Sequence, residues 1–232
     1  FVPRGIYRNL SASDTACELL NAMLGSRIRH SYLVPAGGSN TLGVLGATSI
    51  GRLISQALAR YSNIPEQVWM PTATGGTLLG TAAGLAKSGD HSIKAVGVSV
   101  LENTYLVDEI MALYSKAYSA GIPLPDEKAV KESFGLIEGS RGGYAKTDPE
   151  YLEFYVELEK QLPFPIDHVY MGKVFYALWN HLKLQKATRP KHIAVLHTGG
   201  VQGRRGLIQN MPLSTQANDR VQLAVPSNEL SH

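Results

Sequence analysis

Residues 67–100 read QVWMPTATGGTLLGTAAGLAKSGDHSIKAVGVSV, and their order decides the fold. Gln67 to Met70 is a short apolar run that stops at Pro71, and Leu78 to Lys87 is an Ala- and Leu-rich segment closed by Ser88-Gly89. Thr72-Ala-Thr-Gly-Gly-Thr77 lies between them, and Ile93 to Val100 follows, rich in β-branched residues. Strand, glycine loop, helix and second strand in that order make a β-α-β unit. Such a unit predicts a parallel sheet with a right-handed crossover.

Working outward, Leu42 to Tyr61 carries Ala47, Ile50, Ile54, Ala57, Leu58 and Tyr61 at three- and four-residue spacing, which predicts an amphipathic helix. On the other side a helix is predicted over Thr104 to Ser119, with Leu106, Ile110, Leu113 and Ala117 on one stripe, followed by loop from Gly121. Glu138 to Tyr144 is a glycine-rich connection, and Thr147-Asp-Pro-Glu150 has capping-box spacing. It opens a helix striped by Leu152, Tyr155, Leu158 and Leu162. A further helix fits Lys173 to Gln185, and His192 to Leu196 reads as a buried strand. From Met211 the chain turns polar and aperiodic, as a surface tail does.

Composition narrows the class. The 232 residues hold 23 glycines, above the usual ~7%, with no collagen-like period, so the excess belongs to particular loops. No run of eighteen apolar residues occurs, which predicts a soluble protein. A single cysteine, Cys17, excludes an internal disulfide framework and points to a cytoplasmic setting. The net charge of +3 is finely mixed, with no basic block for nucleic acid or an anionic membrane. The seven histidines include no i, i+4 pair, so no metal site is expected.

Three glycine loops follow apparent strands: Pro35-Ala-Gly-Gly-Ser39-Asn40, Thr74-Gly75-Gly76-Thr77 and His197-Thr198-Gly199-Gly200. In an open α/β sheet such loops gather on the edge where ligands bind. Residues 74–77 make the best phosphate cradle, because glycines let backbone N–H groups converge, threonines add hydroxyls, and a helix N-terminus follows. An ordinary tight β-α turn is the alternative. The loop is neither a Walker A nor a GxGxxG motif, and no Gly-x-Ser-x-Gly elbow is present. His168 and His197 stand near loops, where a hydrogen-bonding role is the simpler reading. Tyr144 and Tyr170 each sit beside glycines, against the alternative of core packing.

Taken in order with Gly143-Tyr144 and Val169-Tyr170-Met171-Gly172-Lys173, and with the Phe-Val-x-Arg-x-x-Tyr-Arg opening at Phe1, these loops resemble the D-cysteine desulfhydrase and 1-aminocyclopropane-1-carboxylate deaminase family. These are fold-type II enzymes that use pyridoxal 5′-phosphate. The resemblance runs to about Gly203 and implies two α/β units with the cofactor in a cleft. Residues 1–34 would then end the smaller unit, 35–210 would form the larger, an open, mostly parallel sheet flanked by helices, and 211–232 the tail. It further implies that Thr74, Gly75, Gly76 and Thr77 hold the cofactor phosphate, and that Tyr144 and Tyr170 face a small amino-acid substrate, with Tyr170 the proton carrier or nucleophile. Ser39 and Asn40 lie on the substrate side, and Thr198, Gly199 and Met171 lie by the cofactor. Where the deaminases proper carry a glutamate to tune the pyridine nitrogen, this chain has Met171, which speaks for β-elimination over cyclopropane ring opening.

The family carries its cofactor-bonding lysine in a Gly-Asn-Lys motif, followed by a Ser-Asn-His loop for the substrate carboxylate, and neither motif occurs in this sequence. All the lysines present, Lys173 included, read as polar helix, strand-edge or loop residues. The expectation is a relative lacking its N-terminal third, acting as a D-cysteine desulfhydrase-like lyase, with a deaminase or racemase as the second enzyme reading. A non-catalytic phosphate-ligand binder is the reading from another class. Homodimers are usual among such enzymes.

Overall fold

Alternation along one strand divides the molecule. In β1 (Gln67–Thr72), Val68 and Met70 point to one face of the sheet and Trp69 to the other, each sealed by its own set of helices. The structure is a computed structural model that describes residues 34–204 except 59, 62, 90, 91 and 185–189. The expected smaller unit, but for Val34, and the tail lie outside the described residues.

β1 pairs in parallel with β2 (Lys94–Ser99), Gln67 opposite Lys94 and Thr72 opposite Ser99. β2 pairs in parallel with β3 (Phe134–Glu138), and β1 with β4 (Ile193–Val195), giving the order β3-β2-β1-β4. Five of six residues in both β1 and β2 are buried, as a parallel strand covered on both faces requires. Pro71 lies within β1 instead of ending it. The Trp69 carbonyl accepts from the Leu196 N–H on the β4 side, and Pro71 faces that same side two residues on, beyond the last paired position, so its missing N–H costs no ladder bond. β4 is half-buried where a buried strand was predicted, because it ends the described sheet.

One face carries α1 (Thr41–Leu58), α2 (Gly76–Lys87), α3 (Leu106–Ser119) and α4 (Glu127–Glu132). α2 is buried at nearly every position because the sheet lies beneath it and α1 crosses over it. That crossing is close: a Cβ on Gly84 would collide with the Thr48 carbonyl oxygen. α1 ends at Leu58, short of the predicted Tyr61, which is exposed. On α3 the buried stripe is Leu106, Ile110, Tyr114 and Ala117, so Tyr114 replaces Leu113.

The opposite face carries α5 (Pro149–Gln161) and α6 (Met171–Leu184), with Val174 and Ala177 packed on Trp69, Val96 and Val98. The cap of α5 is Asp148, accepting from the Tyr151 N–H, one residue later than the capping-box reading. Tyr151 and Tyr155 are the buried positions of this helix, and Leu152 and Leu158 are only half-buried. α4 and β3 occupy residues read as loop. Six residues are too few to show a helical period, and Gly135 dilutes the apolar run of β3. Among the described residues no helix is long and apolar enough to cross a membrane.

Candidate active site

Parallel strands send all their following loops to one edge, and here that edge gathers residues 73–75 after β1, 139–147 after β3 and 196–200 after β4. The loop after β1 takes its shape from Gly75, which stands at φ +83° ahead of α2 and offers no side-chain cap. A Cβ there would collide with Ile110, so the backbone comes close to its neighbours only because the residue is glycine. Leu79 is the first residue of α2 to bond back, to the Gly75 carbonyl, which leaves the N–H groups of Gly76, Thr77 and Leu78 ahead of the helical ladder. Residues 35–40 fold against this end. Ser39 Oγ lies 2.6 Å from Thr74 Oγ1, and a Cβ on Gly76 would sit 2.7 Å from Ser39 Oγ. Asn40 is placed differently from its neighbour, because its Oδ1 accepts from the Gly43 N–H at 2.8 Å and caps α1.

The two tyrosines meet. The rings of Tyr144 and Tyr170 are 6.0 Å apart, edge to face at 70°. Tyr144 is exposed, whereas Tyr170 is half-buried. Burial, and then a hydrogen bond with Tyr144, push the Tyr170 phenol up to about 12. Tyr170 is therefore a neutral phenol at physiological pH, a holder of a proton and no nucleophilic phenolate.

Two residues not singled out from sequence set these rings in place. Asp167, fully buried, accepts from the Val169 N–H at 2.9 Å, the Tyr170 N–H at 2.6 Å and the Met171 N–H at 3.3 Å. It caps the entry to α6 and fixes the backbone of Tyr170. Its signal was an Asp four residues before Met171, hidden while the helix was read as starting at Lys173. Lys173 is 1% exposed, which corrects its reading as a polar-context residue. Its Nζ donates to the carbonyls of Ser140 at 2.5 Å, Gly143 at 2.7 Å and Val100 at 3.4 Å. Burial lowers its pKa. An ammonium has three N–H bonds, and all three are spent on the backbone, so this lysine is not placed to bond a cofactor.

Met171 is buried against Tyr151, Tyr155, Ile166 and Tyr176. Thr198 and Gly199 are exposed on the loop after β4. That loop reaches the tyrosine pair: a Cβ on Gly200 would lie 3.4 Å from Asp167 Oδ2 and 3.9 Å from Tyr170 Cδ2. His197 shapes it, with Nδ1 accepting from the Gly199 N–H at 3.1 Å and Nε2 facing the Pro165 carbonyl at 3.3 Å. The Nε2–H tautomer satisfies both contacts, a structural role. His168 is buried beside the Tyr155 ring, and burial lowers its pKa.

The profile of the family described as pyridoxal-phosphate dependent enzyme matches residues 7–199. The chain belongs to that family. Among relatives of this pyridoxal-phosphate family member, a protein from Arabidopsis thaliana named bifunctional D-cysteine desulfhydrase/1-aminocyclopropane-1-carboxylate deaminase, mitochondrial, is 28% identical over 203 residues, 86% of this chain and 49% of that protein. A Pyrococcus furiosus protein whose name gives 1-aminocyclopropane-1-carboxylate deaminase is 30% identical over 176 residues, 75% of this chain and 51% of that protein. The chain thus spans about half the length of these curated relatives. A solved structure described as an ACC deaminase homologue superposes with a TM-score of 0.68 at 22% identity, over 88% of this chain and 60% of that one, which shows the shared fold.

The cofactor of the family is pyridoxal phosphate, and the residues described here fit its phosphate end. The start of α2 offers N–H groups outside the helical ladder, Gly75 and Gly76 let the turn pack against Ile110 and Ser39 where a Cβ would collide, and Thr74 and Thr77 flank them with hydroxyls.

Proposed function

We propose that this chain supplies the larger-unit side of a pyridoxal-phosphate site that acts on a small amino acid, with β-elimination of the D-cysteine desulfhydrase type as its reaction. The observation that carries the reading is that the glycine turn before α2, the Tyr144–Tyr170 pair and the Thr198-Gly199-Gly200 loop lie on one sheet edge. The resemblance read from the sequence and the name of the Arabidopsis thaliana relative support the substrate class.

Pyridoxal phosphate, when bound, supplies the electron sink that lets an amino acid lose its α-proton. This chain's residues bind and position; the base that takes the α-proton is not among them, since the Gly-Asn-Lys motif does not occur in this sequence. The N–H groups of Gly76 and Thr77 and the hydroxyls of Thr74 and Thr77 bind the phosphate, aided by the positive end of α2. Thr198 lends a hydroxyl near the pyridine ring, where Met171 offers no acid because a thioether carries no ionisable proton. Tyr170 keeps its proton on Oη and offers it to the departing group as a hydrogen bond, and Tyr144 packs edge to face against the Tyr170 ring from the solvent side. Ser39 and Asn40, on the loop against Thr74, stand on the substrate side. Overall, D-cysteine and water give pyruvate, ammonia and hydrogen sulfide. The assembly we propose is a homodimer in the cytoplasm.

Cyclopropane ring opening is the second reading, favoured by the names of the Pyrococcus furiosus relative and the solved homologue. Sulfide release from D-cysteine and ring opening of 1-aminocyclopropane-1-carboxylate, assayed side by side, decide between them. The proposal expects a higher kcat/KM on D-cysteine, and robust ring opening would overturn the argument from Met171. Tight cofactor binding with no turnover of either substrate would leave a phosphate-ligand binder.

A further inference from the structure

The loop 139–147 is an unusual piece of backbone. Arg141, Gly142, Gly143 and Ala145 all lie at positive φ, at 53°, 84°, 121° and 55°, and two of them carry a Cβ. Non-glycine residues in that region are strained and persist only where the surroundings impose them. Its own backbone bonds, Gly143 N–H to Ser140 and Lys146 N–H to Gly143, are few and 3.2 Å long. Arg141 ties one part to Asp148 and lies 4.6 Å over the Tyr176 ring. The part next to Tyr144 is held from below by Lys173, whose ammonium takes the carbonyls on both sides of the Arg141-Gly142 turn and a third from the end of β2.

We propose that Lys173 is a positioning residue whose buried ammonium gathers the Ser140, Gly143 and Val100 carbonyls and thereby holds Tyr144 against Tyr170. One helix start then sets both rings: Asp167 fixes Tyr170 through its N–H, and Lys173, three residues on, fixes Tyr144 through the carbonyl of the residue before it. Replacing the ammonium with an apolar end orphans three carbonyls and frees the loop, while α6 keeps its apolar contacts through Met171, Val174 and Ala177. This inference rests on the proposed function only in giving the tyrosine pair its chemical use.

The test compares the full chain with Lys173→Met and Lys173→Arg by NMR of ring-labelled tyrosines, the signals of Tyr144 and Tyr170 assigned by their phenylalanine variants. Lys173→Met is expected to abolish the Tyr144–Tyr170 cross-peak and shift both rings, while Tyr151 and Tyr155, buried on α5 away from the loop, stay in place. Lys173→Arg, which keeps the charge and the donors, is expected to restore part of the contact. In the active protein kcat should fall about a hundredfold, as for a misplaced catalytic group, with KM little changed. A retained cross-peak in Lys173→Met overturns the proposal. So does a shift of the whole α5–α6 cluster, which would make the lysine a packing residue. Should Lys173→Met not fold, Lys173→Gln carries the same comparison, and unfolding of both overturns the positioning role. The ring signals need no turnover, so a wild-type chain inactive on both substrates would sink the proposed function and leave this result readable.

Discussion

Tyr170 holds its proton more firmly than a free phenol does, because burial and Tyr144 both oppose its ionisation. A residue in that state stays protonated and offers its O–H to a departing group as a hydrogen-bond donor. Tyr170→Phe removes the proton and keeps the ring, so turnover should drop by about 10²–10⁴ with cofactor affinity nearly unchanged. Parallel kinetics and cofactor titration check this, and equal losses in both would return Tyr170 to a structural role. Asp167 acts on the same residue from beneath. Its three N–H partners lose their acceptor in Asp167→Ala, which should cost roughly 2 kcal/mol, read as a lower urea midpoint. Both tyrosines stand out in the sequence near glycines, Gly143 next to Tyr144 and Gly172 two residues after Tyr170, while their meeting is seen only in the fold. Lys173 does not stand out, because lysine is almost never fully buried and an isolated one reads as solvated. Only its place between Gly172 and Val174, on a helix start that faces the core, hinted otherwise.

At the scale of elements, β1, α2 and β2 could be read to within about two residues of their ends, because each is a largely apolar stretch set off by polar or glycine-rich turns, although Pro71 does not stop β1, which runs on to Thr72. β3 could not, since its pairing is decided by the sheet and not by local pattern, and α4 could not, since six residues show no helical period. The cap of α5 was displaced by one residue because Thr147 and Asp148 both suit the position, and the choice was made by Arg141. Its guanidinium hydrogen-bonds the Asp148 carboxylate and, with the Tyr151 N–H, holds that carboxyl below its ordinary range. An acid with a depressed folded pKa stabilises the fold above its unfolded value. That contribution is lost as the pH falls through the folded value, because the unfolded chain takes up the proton first. The difference in melting temperature between wild type and Asp148→Asn should therefore be largest at neutral pH. It should shrink once the pH drops below the ordinary aspartate value of about 3.9. A difference that is constant with pH would mean that Arg141 does not hold the loop through charge.

At the scale of the molecule, the described residues form a parallel sheet sealed on both faces, whose strands deliver their loops to one edge. That architecture could be inferred from a single β-α-β unit, whereas the site depends on long-range meetings, such as Ser39 with Thr74 and Lys173 with Val100, that no local pattern encodes. The central claim is that the start of α2 is a phosphate cradle for pyridoxal phosphate. Calorimetric titration of the full chain with pyridoxal phosphate and with pyridoxal, in wild type and in Gly75→Val, tests it most directly. The account predicts that wild type prefers the phosphorylated ligand by at least about tenfold, roughly 1.4 kcal/mol, and that Gly75→Val loses this preference. Equal affinity of wild type for the two ligands, or a preference that survives in a folded Gly75→Val, would contradict it.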